Sequence, residues 1–221
     1  MEILSQLPNL MGHIANQGVS LSIKGCIHIG AHEGQEYPLY EAFGIENLLF
    51  YEALPDNFKK LEEKLKEYSF NSHKNIIVDA RNVALGNING TVEMHLEDRG
   101  LSSSVLKPKV HLWQYPGIKF EEKETVKITR LDDEEFDRGK YNFINIDVQG
   151  YELEVLRGAE ETLKHVDLIL AEVNKQEMYE GCAMIDEMDE FLEERNFHRI
   201  ATYWQQDYGS WGDALYLKVN K

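Results

Sequence analysis

Five short apolar runs recur along the chain, each closing on a glycine, an acid or an amide, and each separated from the next by helix-like spacing. The runs are Lys24–Ala31, Asn47–Glu52, Asn75–Val78, Tyr141–Val148 and Val166–Val173. Between them, apolar side chains return every three or four residues. Phe58, Leu61, Leu65 and Tyr68 follow Pro55, and Leu153, Leu156, Ala159 and Leu163 follow Glu152. A third such set is Met184, Met188, Phe191 and Leu192. Runs apolar on every residue belong to strands covered on both faces, so the alternation predicts an α/β fold with a mostly parallel sheet between helices. Pro38 and Pro55 fall in first helical turns, where a missing N–H costs nothing.

The remaining segments fit around that frame. Residues 1–23 carry Ile3, Leu4, Leu7, Leu10, Met11 and Ile14 at helical spacing and predict an N-terminal helical extension. Asn82–Gly86 continues the third strand, Thr91–Leu96 alternates as a strand, and Phe197–Trp204 with Ala214–Val219 closes the chain as a hairpin-like pair. Residues 97–124 are polar, broken by glycine and proline, and are expected to form a long loop on the substrate side. No repeat or linker interrupts the 221 residues, so a single domain over 1–221 is expected.

Charge and cysteine content narrow the class. The formal net charge is -16, a field that repels a long nucleic-acid backbone. Residues 177–194 hold eight acidic side chains and no basic one, and residues 121–137 hold eight acidic against three basic. These stretches are expected to be a solvated helix and a loop. Within the 97–124 segment, residues 98–119 are locally basic, with Arg99, Lys107, Lys109 and Lys119 against Asp98, which leaves a small anionic acceptor open. Cys26 and Cys182 lack metal-type spacing and read as free thiols in a reducing cytosol. No apolar run approaches the ~20 residues of a membrane span, and the start has no secretory pattern. The expectation is a cytoplasmic protein with no metal site and no membrane partner.

The strand ends carry the chemistry, because open α/β sheets bind ligands beyond the carboxyl ends of their strands. His28-Ile-Gly30-Ala31-His32-Glu33-Gly34 is a glycine turn after the first strand, but not the G-x-G-x-x-G of a dinucleotide enzyme. Glu52 ends the second strand about 20 residues on, the usual place of a ribose-binding acid. Asn82, Val83 and Ala84 lie beside it in the expected sheet and would border an adenine. Asn145-Ile-Asp147-Val-Gln-Gly150-Tyr-Glu152 places two carboxylates at the next strand end, and Glu172 sits inside an apolar strand. Any of the three acids could act as a base or help to hold a cation.

Taken in order, IHIGAHEGQE, FYEALPDNFKKL, NVALGNINGTVEMHL, Ser102 to Ser104, VKITRLDDEEF, NIDVQGYELEVLRGAEETL and LILAEV resemble the FkbM-type S-adenosylmethionine-dependent methyltransferases. The resemblance covers residues 24–174 and is strongest from Asp147 to Ala159. It implies a Rossmann-like class I methyltransferase fold, with a seven-stranded, mostly parallel sheet whose last strand is antiparallel. It also implies S-adenosylmethionine as cofactor and methyl transfer to a hydroxyl of a small, sugar-like acceptor. Carried over residue by residue, His28, Gly30, Ala31, His32 and Gly34 surround the amino-acid end of the cofactor, Glu52 holds the ribose, and Asn82 to Ala84 flank the adenine. Asp147 borders the methyl-transfer cleft, with Glu152 and Glu172 nearby as further catalytic candidates. His32 and His111 are alternatives for the base by location.

The family usually has an acid where His28 stands, a lysine where Asn145 stands and a glutamate where Gln149 stands. A catalytically silent nucleoside-binding or scaffold protein on the same fold stays open on that ground. An NAD-dependent oxidoreductase is disfavoured by Ala31, which replaces the second fingerprint glycine.

Overall fold

A computed structural model describes residues 2–16, 21–72, 74–98 and 100–219. Arg99 and the side chains of Ile3 and Ile14 lie outside the described residues. In chain order the elements are α1 (Glu2–Asn16), β1 (Gly25–Ile29), α2 (Tyr37–Ala42), β2 (Asn47–Glu52), α3 (Pro55–Asn71), β3 (Ile77–Asn82), β4 (Ala84–Leu85) and β5 (Gly90–Leu96). They continue with α4 (Val110–Gln114), β6 (Glu122–Thr129), β7 (Phe143–Ile146), α5 (Glu152–Arg157), β8 (Leu168–Asn174), α6 (Ile185–Glu193), β9 (Phe197–Trp204) and β10 (Trp211–Lys218).

Seven strands form one sheet in the order β3-β2-β1-β7-β8-β10-β9. Every pairing from β3 to β8 is parallel, and β10 runs antiparallel to both β8 and β9. This is the expected sheet with its reversed last strand. The core lies on both faces because the strands are apolar on both. Ile27 and Ile29 of β1 pack towards α5 and α6 (Leu153, Leu156, Met188, Leu192), whereas Cys26 faces α1, α2 and α3 (Leu4, Tyr40, Leu61). Leu61 and Leu192 are fully buried, each stabilising by about 2 kcal/mol relative to exposure.

Four boundaries differ from expectation, each for a local physical reason. The third strand lies at Ile77–Asn82, not 75–78, and Asn82–Gly86 does not simply extend it. Ala84–Leu85 pairs instead with β6 in a separate three-stranded sheet, β4-β6-β5. The acidic stretch 121–137, expected as loop, contains β6. There Val126 and Ile128 point into a small core with Ala84, Met94 and Leu54, while Lys127 and Glu122 stay exposed. Flanking charges hide a short alternation of this kind. Residues 97–124 are not wholly loop either, since α4 and the start of β6 fall within them. Finally, the helix expected from the spacing of Leu153 to Leu163 stops at Arg157. The Asp132 carboxylate then accepts from the amides of Glu161 and Thr162 at 2.8 and 2.9 Å, so the chain restarts as a short 3₁₀ turn. Among the described residues no helix is long and apolar enough to cross a membrane.

Candidate functional site

The carboxyl ends of β2, β1, β7 and β8 stand side by side along one edge of the large sheet. Gly30 turns the chain there with φ +79°, and its amide and that of Ala31 both donate to the Tyr51 carbonyl at 2.9 Å. A Cβ at Gly30 would lie 1.8 Å from the Asp147 carbonyl oxygen. Only glycine lets the ends of β1 and β7 approach this closely.

Two cavities open on either side of that contact. The first encloses about 630 Å³ out to its mouth and runs from Gly30 and His32 past Glu52 to Asp147, Val148 and Tyr151. Its sides are apolar, with Leu54, Val83, Ala84 and Met94 among them. Glu52, 6% exposed, is the one carboxylate deep in this cleft. Its Oε2 accepts from the His32 amide at 2.8 Å and its Oε1 from the Leu54 amide at 2.9 Å. Burial pushes the Glu52 pKa from 4.5 up to about 7, against the pull of those donors. His32 adopts φ +47°, the conformation from which its amide reaches Glu52.

The second cavity is lined by His28, Glu36, Asn145, Glu172 and Asp213, together with Ala31. Gly30, His32, Leu101 and Asp147 belong to both cavities. Leu101, from the 97–124 segment, is 62% exposed and, like the exposed Asp147, lines both cavities. No Lys or Arg lines the second cavity among the described residues. Lys107, Lys109 and Lys119 pair instead with Glu180, Glu177 and Glu121 on the surface, so the basic character of this segment is spent away from the site.

Oxygens of Asp147, Glu152 and Glu172 all lie within 4.8 Å of one another. Carboxylates this close either share protons or draw in a cation. Glu152, 3% exposed, turns its Oε1 to the Val148 and Gly150 amides at 2.9 and 3.1 Å. It thereby closes the loop between β7 and α5 and lines neither cavity. Burial, then the charge of Asp147, raises its pKa to about 7. Glu172 is 5% exposed and held well above the carboxylate range by burial and by Asp147, Glu152 and Asp213. Asp147 is open to both cavities. The protein packed behind it and the charges of Asp213 and Glu36 push its pKa from 3.8 up to about 6, and Gln149 pulls it back. Its exposed carboxylate feels the burial less than Glu152 and Glu172 do.

The expected residues therefore divide. Gly30, His32, Glu52, Val83, Ala84 and Asp147 meet at the first cavity, while His28, Ala31 and Glu172 face the second. Asn82 and Gly34 line neither. The Asn82 amide donates to the Glu52 and Ala53 carbonyls at 2.9 and 3.0 Å, stitching β3 to β2, and Gly34 makes room for Leu61. His111 also lies away from both cavities, buried among Tyr115, Phe120 and Tyr179. Glu36, Asp213 and Tyr40 were not expected in the site. Asp213 arrives through its register with Glu172 across β10 and β8, which no local motif reveals.

Two of the three departures from the family pattern turn out to be neighbours. His28 and Asn145 stand opposite one another across β1 and β7. Asn145 Nδ2 donates to the Tyr40 hydroxyl at 2.7 Å, and that hydroxyl lies 3.2 Å from His28 Nδ1. Burial holds the His28 pKa down at about 3, so the ring is neutral. An acid and a lysine at these positions would face each other as an ion pair, and here a neutral hydrogen-bonded set stands in the same place.

The serine stretch docks the 97–124 segment on the β7–α5 turn. Ser104 Oγ donates to the Gln149 carbonyl at 2.7 Å, the Ser102 carbonyl accepts from Tyr179, and Ser103 lines the first cavity.

Comparison with known proteins agrees with this geometry. The family model described as methyltransferase FkbM domain matches residues 28–199. A curated relative, 2-O-methyltransferase NoeI of Sinorhizobium fredii (strain NBRC 101917 / NGR234), is 35% identical over 108 residues, covering 45% of this chain and 44% of that protein. The crystal structure of methyltransferase FkbM from Methylobacillus flagellatus KT superposes with a TM-score of 0.62 at 15% identity, over 90% of this chain and 45% of that one. The magnesium protoporphyrin IX methyltransferase of Synechocystis PCC 6803 with bound SAM gives 0.53 at 8% identity, over 98% and 79%. The chain thus spans less than half the length of the curated relative and of the FkbM structure, and the low-identity structures speak for the fold. With three quarters of its length matched by the family model, the chain belongs to the FkbM methyltransferase family and with it to the S-adenosylmethionine-dependent methyltransferases.

Proposed function

We propose that residues 1–221 act as one O-methyltransferase domain that holds S-adenosylmethionine in the first cavity and a small hydroxylated acceptor in the second. The observation that carries this reading is the meeting of the two cavities at Asp147. The fit to the cofactor rests on the donor set: a buried acid suited to a pair of ribose hydroxyls, apolar walls for a flat base, and a glycine turn that leaves backbone room. S-adenosylmethionine, when bound, supplies a methyl carbon made electrophilic by the positive sulfur beside it. Glu52 accepts hydrogen bonds from the ribose, Val83 and Ala84 pack against the base, and Leu101 covers the junction from water.

Asp147 takes the acceptor proton as the oxygen bonds to the methyl carbon and the carbon–sulfur bond breaks. An in-line displacement needs little beyond alignment and one base. With a pKa of about 6, Asp147 is largely ionised at neutral pH and can serve. Glu36, Glu172 and Asp213 present acceptors to hydroxyl donors, which supports a sugar-like ligand. The absence of Lys and Arg from this cavity among the described residues turns the reading away from an anionic acceptor, towards a neutral or amine-bearing one. The name of the curated relative, a 2-O-methyltransferase, supports transfer to oxygen. Buried free thiols at Cys26 and Cys182 support a reducing, cytoplasmic setting.

The test is calorimetry with S-adenosylmethionine and S-adenosylhomocysteine, followed by labelled methyl transfer to neutral, amino and phosphorylated sugars. Binding of both nucleosides and transfer to neutral or amino sugars is the expected result. Absence of binding overturns the reading, and binding with no transfer to any acceptor favours the silent nucleoside-binding protein.

A further inference from the structure

Gln149 is the third departure from the family pattern, and its side chain joins two carboxylates of the site to Tyr179. Its Nε2 donates to Asp147 Oδ1 at 2.6 Å and to Glu172 Oε2 at 3.1 Å, which uses both amide protons. Its Oε1 accepts from the Tyr179 hydroxyl at 2.7 Å. Its backbone carbonyl accepts from Ser104 Oγ at 2.7 Å. The residue is also held at φ +57°, a left-handed conformation that costs a side chain such as glutamine roughly 1 kcal/mol. Gly150 follows at φ +95°, where a Cβ would fall 2.9 Å from Cys182 and 3.1 Å from Tyr179, so the turn cannot relax towards that wall. A strained residue held from four sides marks a place where position matters more than local stability.

We propose that Gln149 is a positioning residue that braces Asp147 against Glu172, keeping the Asp147 carboxylate ionised and turned to the junction of the two cavities. Asp147 faces negative groups from every element around it: Glu152 at the start of α5, Glu172 on β8, Asp213 on β10 and Glu36 before α2. His32, on the β1–α2 turn, is the basic side chain that lines both cavities with it. A neutral amide is suited to this company. It offers two donors to two carboxylates and adds no charge, whereas a glutamate there would add another negative group and offer no donor unless protonated. The amide orientation is set by the two carboxylates, which can only accept, and is supported by the Tyr179 hydroxyl, whose oxygen lies 2.7 Å from Gln149 Oε1 and 3.0 Å from the Ser102 carbonyl oxygen. With the amide reversed, its oxygen would oppose two carboxylates. Tyr179 and Ser104 thus tie the bracing amide to the 97–124 segment and to the loop before α6.

The bracing itself stands on this geometry, and only its catalytic meaning rests on the methyl-transfer reading. The test is carboxyl-carbon NMR titration of Asp147, with the full chain labelled at its aspartate side chains, in chelator and without cofactor. Gln149→Met keeps the length and removes the donors, Gln149→Glu adds a charge as well, and Tyr179→Phe removes only the hydroxyl that supports the amide oxygen. The Asp147 midpoint is expected to rise by roughly one to two pH units in Gln149→Met, further in Gln149→Glu and less in Tyr179→Phe. Midpoints indistinguishable from native in all three variants overturn the proposal. A shift in Tyr179→Phe carries the test if the Gln149 variants fail to fold. Calorimetry with S-adenosylhomocysteine on the same samples separates the two ideas: no binding to the native chain sinks the methyl-transfer reading and leaves the titration result standing.

Discussion

Glu52 stands nearly alone in the first cavity, its two oxygens held by the amides of His32 and Leu54, whereas Glu36, Asp147, Glu172 and Asp213 crowd the second. Both cavities bury carboxylates, yet the sources of their pKa shifts differ. Burial dominates at Glu52, with backbone donors opposing it, while at Glu172 neighbouring charges add to burial. The first arrangement suits a fixed acceptor for a neutral ligand. The second suits a site that trades protons, because crowded carboxylates lie close to the balance between charged and neutral forms. Asp147 belongs to both cavities, and this is the ground for making it the base.

The largest expected effect comes from removing that shared group. Asp147→Asn should lower kcat by roughly 10²–10⁴-fold while leaving S-adenosylhomocysteine affinity within a few-fold of native, as for loss of a general base. Steady-state rates and calorimetry on one preparation decide it. Full turnover in the variant would move the base elsewhere and dissolve the distinction between the cavities.

A stability test sharpens the second cavity. His28 and Asn145 are register neighbours, 4% and 8% exposed, and share the Tyr40 hydroxyl. His28→Asp or Asn145→Lys alone buries an unpaired charge and is expected to cost about 3 kcal/mol in urea unfolding. The double variant should recover a large part of that loss, since the new charges face each other. Additive losses would mean that the two departures from the family pattern arose independently.

Glu52→Gln tests the first cavity and should be milder. Both carboxylate oxygens accept from backbone amides, so the new NH₂ opposes one N–H. Cofactor affinity is expected to drop about 10–100-fold, with kcat at saturating cofactor close to native. A fall in kcat without a change in affinity would place Glu52 on the chemistry instead.

The two cavities were not equally legible in the sequence, for the same reason that they differ. The first is built from strand ends and the turns that follow them, so Gly30, Glu52 and Asp147 sit within a few residues of recognisable strand-to-helix transitions and Val83 directly follows β3. The second is assembled by register. Asp213 reaches Glu172 only because β10 inserts between β8 and β9, and Glu36 arrives by the packing of the β1–α2 turn. Asn82 and Glu152 were legible as polar residues at strand ends, but their partners are backbone groups that no spacing announces. The β4-β6-β5 sheet was hidden by charges on its exposed face.

The smallest expected effect is a pH dependence of stability carried by one acid in the first cavity and one in the carboxylate cluster beside the second. Glu52 and Glu152 are raised from 4.5 to about 7 in the folded chain. The folded state therefore holds protons that the unfolded state has already released, and stability falls as pH rises through 7. His28 works in the opposite direction but in another window. Its pKa is lowered from 6.5 to about 3, so the stability it lends is lost as pH falls below 6.5 and is constant above. His95 and His111 are also lowered from 6.5 and follow the same rule. Between pH 6.5 and 8 the carboxylates act with little opposition, and urea unfolding should lose on the order of 1 kcal/mol for each of the two groups. Glu52→Gln should remove the share of the first cavity and leave that of Glu152 in place. A stability that is flat or rising over this window would mean that both acids are already ionised in the fold, and the contrast between a held carboxylate and a crowded one would then rest on geometry alone.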